Sequence, residues 1–108
     1  MKKIINQKYN TMRVYKSPIG LEVYKNDWID GVGYTISGNV SSEHTVKKFD
    51  SAYDFERWVR KNISCKTIEF DSEFCQFYAY AKSRRDAMAF AKRIEKLCKK
   101  VQEMFKIY

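Results

Sequence analysis

The C-terminal quarter of the chain constrains the fold most, because its apolar and basic residues separate at the spacing of an α-helix. From Ser83 to Tyr108 the apolar residues recur at intervals of three and four, which is typical of a helix that buries one side. This apolar stripe consists of Ala87, Phe90, Ala91, Ile94, Leu97, Cys98, Val101, Met104, Phe105 and Tyr108. On the other side a row of cations repeats every seven residues: Arg85, Lys92, Lys99 and Lys106. The segment therefore predicts a long basic amphipathic helix with a cationic ridge about 30 Å long.

The charge of the whole chain is concentrated at its two ends. With 21 Lys and Arg against 13 Asp and Glu the net charge is +8, distributed as +5 over residues 1–25, −3 over 26–81 and +6 over 82–108. A basic protein favours anionic partners, which here means nucleic acid, a nucleoprotein complex or an acidic protein surface. A lysine-rich face that only meets water is the alternative.

The length of 108 residues, with 44% hydrophobic and 16% aromatic residues, predicts a single domain over 1–108. The start of the chain lacks the apolar run of a signal peptide, and no segment reaches the roughly 20 apolar residues of a membrane span, so we expect a cytoplasmic protein. Cys65, Cys75 and Cys98 are widely spaced and odd in number, which indicates buried thiols rather than disulfides or a zinc site.

A weak internal repeat at a spacing of 32 residues suggests that a strand, strand and helix unit occurs twice, at 32–62 and 64–107. Thr35-Ile36 aligns with Thr67-Ile68, and Ser51 and Asp54 align with Ser83 and Asp86. A Ser three residues before an Asp resembles a capping box, so helices are predicted to start at both Ser51 and Ser83. Because many helix starts use these residue types, a chance match remains the alternative.

Alternating apolar residues predict the strands. The segments Val32 to Ser37, His44 to Phe49, Thr67 to Phe70 and Phe74 to Ala81 are strand-like. Before them, residues 11–25 predict a hairpin around the turn Ser17-Pro18-Ile19-Gly20. Its inward residues are expected to be Met12, Val14, Leu21 and Val23, and its outward residues Arg13, Tyr15, Glu22 and Tyr24. The expected fold is α+β in the order ββ-ββα-ββα, with one twisted antiparallel sheet and both helices on one face.

The other face of that sheet would then be open. Tyr15 and Tyr24, with Tyr34 or Tyr78, could form an aromatic platform there beside three cations: Arg13, Lys16 and Lys25. This combination of residues lets a protein stack unpaired bases while it holds phosphates. The strand preference of tyrosine and cross-strand packing offer a simpler explanation.

The segment Lys82-Ser83-Arg84-Arg85-Asp86-Ala87, followed by Ala91-Lys92, resembles the start of the final helix in double-stranded-RNA-binding domains. That resemblance implies phosphate contacts by Lys82, Arg84 and Arg85. It covers about a dozen residues, and the rest of the chain departs from the family, which has an opening helix and three consecutive strands before its basic helix.

Nothing in the sequence predicts catalysis or a cofactor. The single histidine, His44, has no accompanying nucleophile signature, so acyl transfer has no support. Two acidic clusters could in principle hold the metal of a nuclease, namely Asp50, Asp54 and Glu56, and Glu69, Asp71 and Glu73. Helix capping explains the first cluster and a polar turn the second, so we expect no metal.

The sequence thus predicts a small, non-enzymatic, basic protein that binds nucleic acid or a ribonucleoprotein complex, as a monomer or homodimer. The expected binding residues are Lys82, Arg84, Arg85, Lys92, Arg93, Lys96, Lys99, Lys100, Lys106, Arg13, Tyr15 and Tyr24. In size and character the chain resembles small phage proteins that inhibit host defences, including anti-CRISPR proteins. The alternative is a protein-binding module, with the ridge or the hairpin edge docked on an acidic partner.

Overall fold

The computed structural model describes residues 11–28, 31–39 and 49–106, with side chains over 11–27, 33–38 and 49–101. The elements run in the order β1 (Thr11–Lys16), β2 (Glu22–Trp28), β3 (Gly31–Asn39), α1 (Ala52–Asn62), β4 (Ile68–Phe70), β5 (Gln76–Ala81) and α2 (Arg84–Lys106). The five strands form one antiparallel sheet in the spatial order β1-β2-β3-β5-β4. The α+β class with an antiparallel sheet and two helices is therefore confirmed for this part of the chain.

Both helices begin where the Ser and Asp pattern predicts. The Ser51 hydroxyl oxygen accepts a hydrogen bond from the backbone N–H of Asp54 at 3.3 Å, and Ser83 accepts one from Asp86 at 3.1 Å. Each bond pairs a backbone N–H that the first turn of a helix leaves without a partner. At the other end of α1 the backbone N–H of Ile63 donates to the carbonyl oxygen of Val59 at 2.9 Å.

The N-terminal hairpin closes on the predicted turn. The backbone N–H of Ser17 donates to the Leu21 carbonyl oxygen at 2.7 Å, and Gly20 adopts a φ of 91°, which favours glycine. Leu21 and Val23 are buried as expected. Met12 pairs with Lys25 and so points to the helix side as predicted, but it is 64% exposed because it lies on an edge strand where the helix layer does not cover it.

A β-bulge at Val14 changes which residues of β1 face the core. Arg13 pairs with Tyr24, but the next pair is Tyr15 with Val23, so Val14 is an extra residue in β1. Because side chains alternate along a strand, this insertion turns Tyr15 to the helix side of the sheet, the side of Val23. The predicted outward position is thus correct for Arg13 and Tyr24 and wrong for Tyr15.

In the first repeat unit, the strand from Val32 to Ser37 was expected to form a hairpin with the strand that follows it. This pairing does not occur along the centre of β3. From Tyr34 to Ser37 this strand pairs with β2 on one edge and with β5 on the other, so neither edge is free. The other predicted strand, His44 to Phe49, lies outside the described residues except for Phe49, which is in no strand. The strand, strand and helix order is observed for the second unit, in β4, β5 and α2.

The hydrophobic core lies between one face of the sheet and both helices. The Phe77 ring centroid on β5 is 5.0 Å from that of Phe55 on α1 and 6.4 Å from that of Phe90 on α2. Since one strand residue contacts both helices, the two helices cover the same face. The fully buried side chains include Val23, Ile36, Phe55, Val59, Phe77, Phe90, Ile94 and Cys98.

The cysteines differ in burial, although all three were expected inside. Cys98 is buried, and its removal from water raises the pKa of the thiol to about 11. Cys65 is half-buried and Cys75 is exposed in the β4–β5 connection, so the prediction is wrong for Cys75. None of the helices described here is long and apolar enough to cross a membrane.

Candidate binding surfaces

Among the described side chains of α2, the predicted cations lie on the outer side and the apolar stripe on the inner side. The side chains of Met104, Phe105 and Tyr108, which were predicted to extend the stripe, lie outside the described residues. Ala87, Phe90, Ala91, Ile94 and Cys98 are buried, while Leu97 is half-buried. We call the exposed cations the basic face: Lys82, Arg84, Arg85, Lys92, Arg93, Lys96, Lys99 and Lys100. Lys106 belongs to α2, but its side chain lies outside the described part of the chain.

Within the described side chains, no ion pair neutralises the charge of the basic face. None of its cations forms an ion pair with a described carboxylate, whereas Arg13, Arg57 and Arg60 are each paired elsewhere. A central carboxylate of α2, Glu95, instead accepts a hydrogen bond from the Tyr15 hydroxyl at 2.6 Å. Unpaired cations on a rigid helix are available to an anionic partner.

The helix fixes the spacing of the cations along this face. Arg85, Lys92 and Lys99 are seven residues apart, which places neighbours about 10 Å from each other along the axis. The row rotates by only about 20° per seven residues, so its members point to the same side. An extended polyanion lying along the helix could therefore contact several of them at once.

Tyr15 lies at the margin of the basic face and not on the open side of the sheet. The Lys92 Nζ atom is 5.7 Å from the centroid of its ring, within the range of a cation–π contact. The hydrogen bond to Glu95 raises the pKa of the Tyr15 hydroxyl, with desolvation as a smaller cause. Tyr15 thereby connects β1 to the middle of α2.

A groove of about 440 Å³ lies between the end of α1 and the basic face. Ile63 and Leu97 supply apolar surface, and Arg93, Lys96 and Lys100 supply positive charge. The groove is the concave part of the basic face, since the rest of α2 presents a convex ridge.

The opposite side of the sheet, which we call the open sheet face, has a different character from the predicted platform. A concavity of about 900 Å³ is lined by Thr11, Glu22, Tyr24, Asn26, Thr35, Ser37, Asp71, Glu73, Gln76, Tyr78 and Tyr80. Tyr24 and Tyr78 are present as expected, and Tyr80 joins them. Lys25 follows Tyr24 in β2 and therefore points to the opposite side of the sheet, which is the helix side. Its cross-strand partner Tyr34 points to the helix side as well, as Tyr15 does. Their predicted place on the platform is wrong.

Polar contacts organise one end of the open sheet face. One carboxylate oxygen of Glu22 accepts from the Tyr24 hydroxyl at 2.8 Å, and the other accepts from Arg13 Nη1 at 2.8 Å. Both bonds lower the pKa of the Glu22 carboxyl, and the bond from Tyr24 is the larger cause. The bond between Tyr24 and Glu22 also raises the pKa of the Tyr24 hydroxyl. Next to them the Asn26 side-chain amide donates to the Thr35 hydroxyl at 2.6 Å.

Neither acidic cluster forms a metal-binding group within the described residues. Asp54 pairs with Arg57 at 3.2 Å and Glu56 with Arg60 at 3.1 Å, so both carboxylates of α1 already have cations. His44 lies outside the described residues.

The local resemblance to double-stranded-RNA-binding domains does not extend to the strand order. Lys82, Arg84 and Arg85 are exposed around the start of α2, but α1 stands between β3 and β4, which interrupts the strands. Comparison with protein-family models, curated proteins and solved structures found no match to this chain.

Proposed function

We propose that this protein is a non-enzymatic binding protein whose basic face holds the phosphates of nucleic acid, free or within a ribonucleoprotein complex. The observation that carries the proposal is the set of eight exposed cations without a described carboxylate partner, all at or along one helix. Phosphate contacts of this kind give affinity and position but read no base sequence. We therefore expect little discrimination between sequences.

The rigid mounting of α2 favours a binding role over a merely solvated face. Phe90 and Ile94 anchor the helix in the core, so the row of cations keeps its spacing without a loss of backbone freedom on binding. A small protein that covers the nucleic acid of a defence complex would inhibit that complex. This would be consistent with the resemblance in size and character to phage inhibitors.

The salt dependence of binding tests the proposal. If the row contacts about four phosphates, the logarithm of affinity falls with the logarithm of salt concentration at a slope of about −3 to −4. Fluorescence anisotropy with labelled 20-nucleotide DNA and RNA duplexes of two unrelated sequences, at several salt concentrations, measures that slope. The variant Lys92→Glu/Lys99→Glu should bind more weakly and with a flatter slope.

A matched control changes the same amount of charge away from the row. Lys61→Glu/Lys66→Glu alters two exposed lysines on α1 and the following loop, and should keep most of the slope. If both double variants lose affinity equally, net charge and not the basic face is responsible. If the parent protein binds no nucleic acid at low salt, the proposal is wrong and an acidic protein partner becomes the better candidate.

The structure gives less support to a partner that adds a strand to the sheet. The edge strand β1 carries the bulge at Val14, and the other edge strand, β4, has only three residues. Bulges and short edge strands oppose continuous pairing with another chain. If the ligand of the basic face is an acidic protein and not nucleic acid, we therefore expect its carboxylates to contact the basic face, without strand addition at a sheet edge.

A further inference from the structure

The concavity of the open sheet face is locally acidic, and the cations Arg13 and Lys16 of β1 lie only at its edge. Although the chain carries a net charge of +8, the described residues that line this concavity include three carboxylates and no lysine or arginine. Glu22 is held by Arg13 at the margin, but Asp71 and Glu73 form no ion pair with a described cation. Both lie on the β4–β5 connection, where backbone bonds from Asp71 to Tyr78 and from Glu73 to Gln76 fix their positions.

Tyrosine rings form the centre of this concavity. The hydroxyl groups of Tyr78 and Tyr80 make no hydrogen bond to any described residue, and both rings are partly exposed. Asp71 and Glu73 line the same concavity as the two rings, and the backbone N–H of Asp71 donates to the carbonyl oxygen of Tyr78 at 3.0 Å. Partial burial raises the pKa of Tyr80, and the negative charge of Asp71 raises it further. A cation placed here would meet an aromatic face and a carboxylate together.

We infer that the open sheet face is a docking surface for an arginine-bearing segment of a partner protein. The guanidinium group forms paired hydrogen bonds with carboxylates and stacks on aromatic rings, and the face supplies both. Thr35, Ser37 and Gln76 provide polar partners for an extended backbone along the floor. This inference does not depend on the proposed function of the basic face.

The same charges disfavour the other occupants of this face. Phosphates would meet Asp71 and Glu73 without a lining cation to offset them, so the base-stacking platform expected from the sequence is not favoured here. A symmetric dimer through this face would place two acidic concavities of like charge against each other. Positive side chains of a different protein avoid both conflicts.

A pair of matched peptides tests the inference. The probe is an acetylated and amidated Gly-Arg-Gly-Arg-Gly peptide, and its control carries citrulline, the neutral isostere, in place of arginine. In ¹⁵N-resolved NMR titrations the arginine peptide should shift the backbone amides of β5 in a saturable manner, while the citrulline peptide should not. Equal shifts with both peptides, or shifts confined to other elements, would overturn the inference.

Variants of the carboxylates supply the second measurement. Asp71→Asn/Glu73→Gln should weaken binding of the arginine peptide about 3- to 10-fold, as expected for two exposed charge pairs. Asp54→Asn/Glu56→Gln removes the same charge on α1 and should leave the affinity within twofold. Asp71 and Glu73 are exposed and Asp54 and Glu56 are partly exposed, so dispersed amide spectra must verify that both double variants fold. Unchanged affinity in the Asp71 and Glu73 variant refutes the docking surface.

Discussion

The hydrogen bond between Tyr15 and Glu95 gives the sharpest test of how β1 is attached to the helix layer. The substitution Tyr15→Phe removes the hydroxyl and keeps the ring beneath Lys92, so it isolates one bond of 2.6 Å. Hydrogen bonds to charged groups contribute about 1.5–3 kcal/mol, and partial exposure of Tyr15 reduces this toward about 1 kcal/mol. The expected fall in melting temperature is about 4 °C for a domain of this size.

Urea denaturation of the parent, Tyr15→Phe, Glu95→Gln and the double variant measures the coupling between the two side chains. Tyr34→Phe is the matched control, because Tyr34 also faces the helix side but its hydroxyl has no hydrogen-bond partner among the described residues. We expect a coupling of about 0.5–1 kcal/mol and a control within about 0.3 kcal/mol of the parent. A coupling energy of zero between Tyr15 and Glu95 would contradict the placement of Tyr15 on the helix side, which follows from the bulge at Val14.

The same bond has a defined pH dependence. The folded pKa of Tyr15 is raised above 10.0, the ordinary pKa of a tyrosine, so the stabilisation by this hydrogen bond is fully present below that pH. It is lost as the pH rises through the folded pKa, because an ionised phenol no longer donates to Glu95. The difference in stability between the parent and Tyr15→Phe should therefore shrink in strongly alkaline solution. A constant difference up to complete ionisation of the tyrosines would argue against this hydrogen bond.

Three further predictions concern the packing of α2 and the thiols. Ser83→Ala should lower the free energy of unfolding by about 1 kcal/mol and reduce hydrogen-exchange protection in the first turn. Phe90→Ala should cost about 3–5 kcal/mol in urea titrations, whereas Leu97→Ala, at a half-buried site, should cost less than 2 kcal/mol. Ellman's reagent at neutral pH should modify the exposed Cys75 rapidly, and the buried Cys98 only at the rate of unfolding.

The helices and the side of α2 that is buried could be predicted from the sequence because local rules determine them. A Ser side chain that pairs with the backbone three residues later needs no tertiary information, and both Ser51 and Ser83 do so. The spacing of Phe90 and Ile94 follows the period of the helix, and both are buried. The turn at Gly20 likewise depends on a few adjacent residues.

Long-range pairing explains what the sequence did not predict. The bulge at Val14 follows from the register between β1 and β2, and one extra residue moved Tyr15 to the other face. Tyr80 was missed because its face depends on β5 pairing with β3, which is distant in sequence. The cluster of Glu22, Asp71 and Glu73 beside tyrosines likewise arises only when the β2 and β4–β5 regions meet at the same concavity.

The two proposed surfaces should influence each other only at low ionic strength. The helix layer separates the basic face from the open sheet face by about 15 Å, from a sheet to helix-axis distance of about 10 Å and a helix radius of about 5 Å. This exceeds the screening length of about 8 Å at 0.15 M salt but not that of about 30 Å at 0.01 M. Asp71→Asn/Glu73→Gln should therefore leave nucleic-acid affinity unchanged at 0.15 M and increase it at 0.01 M. A several-fold change at the higher salt would show that nucleic acid contacts the open sheet face itself.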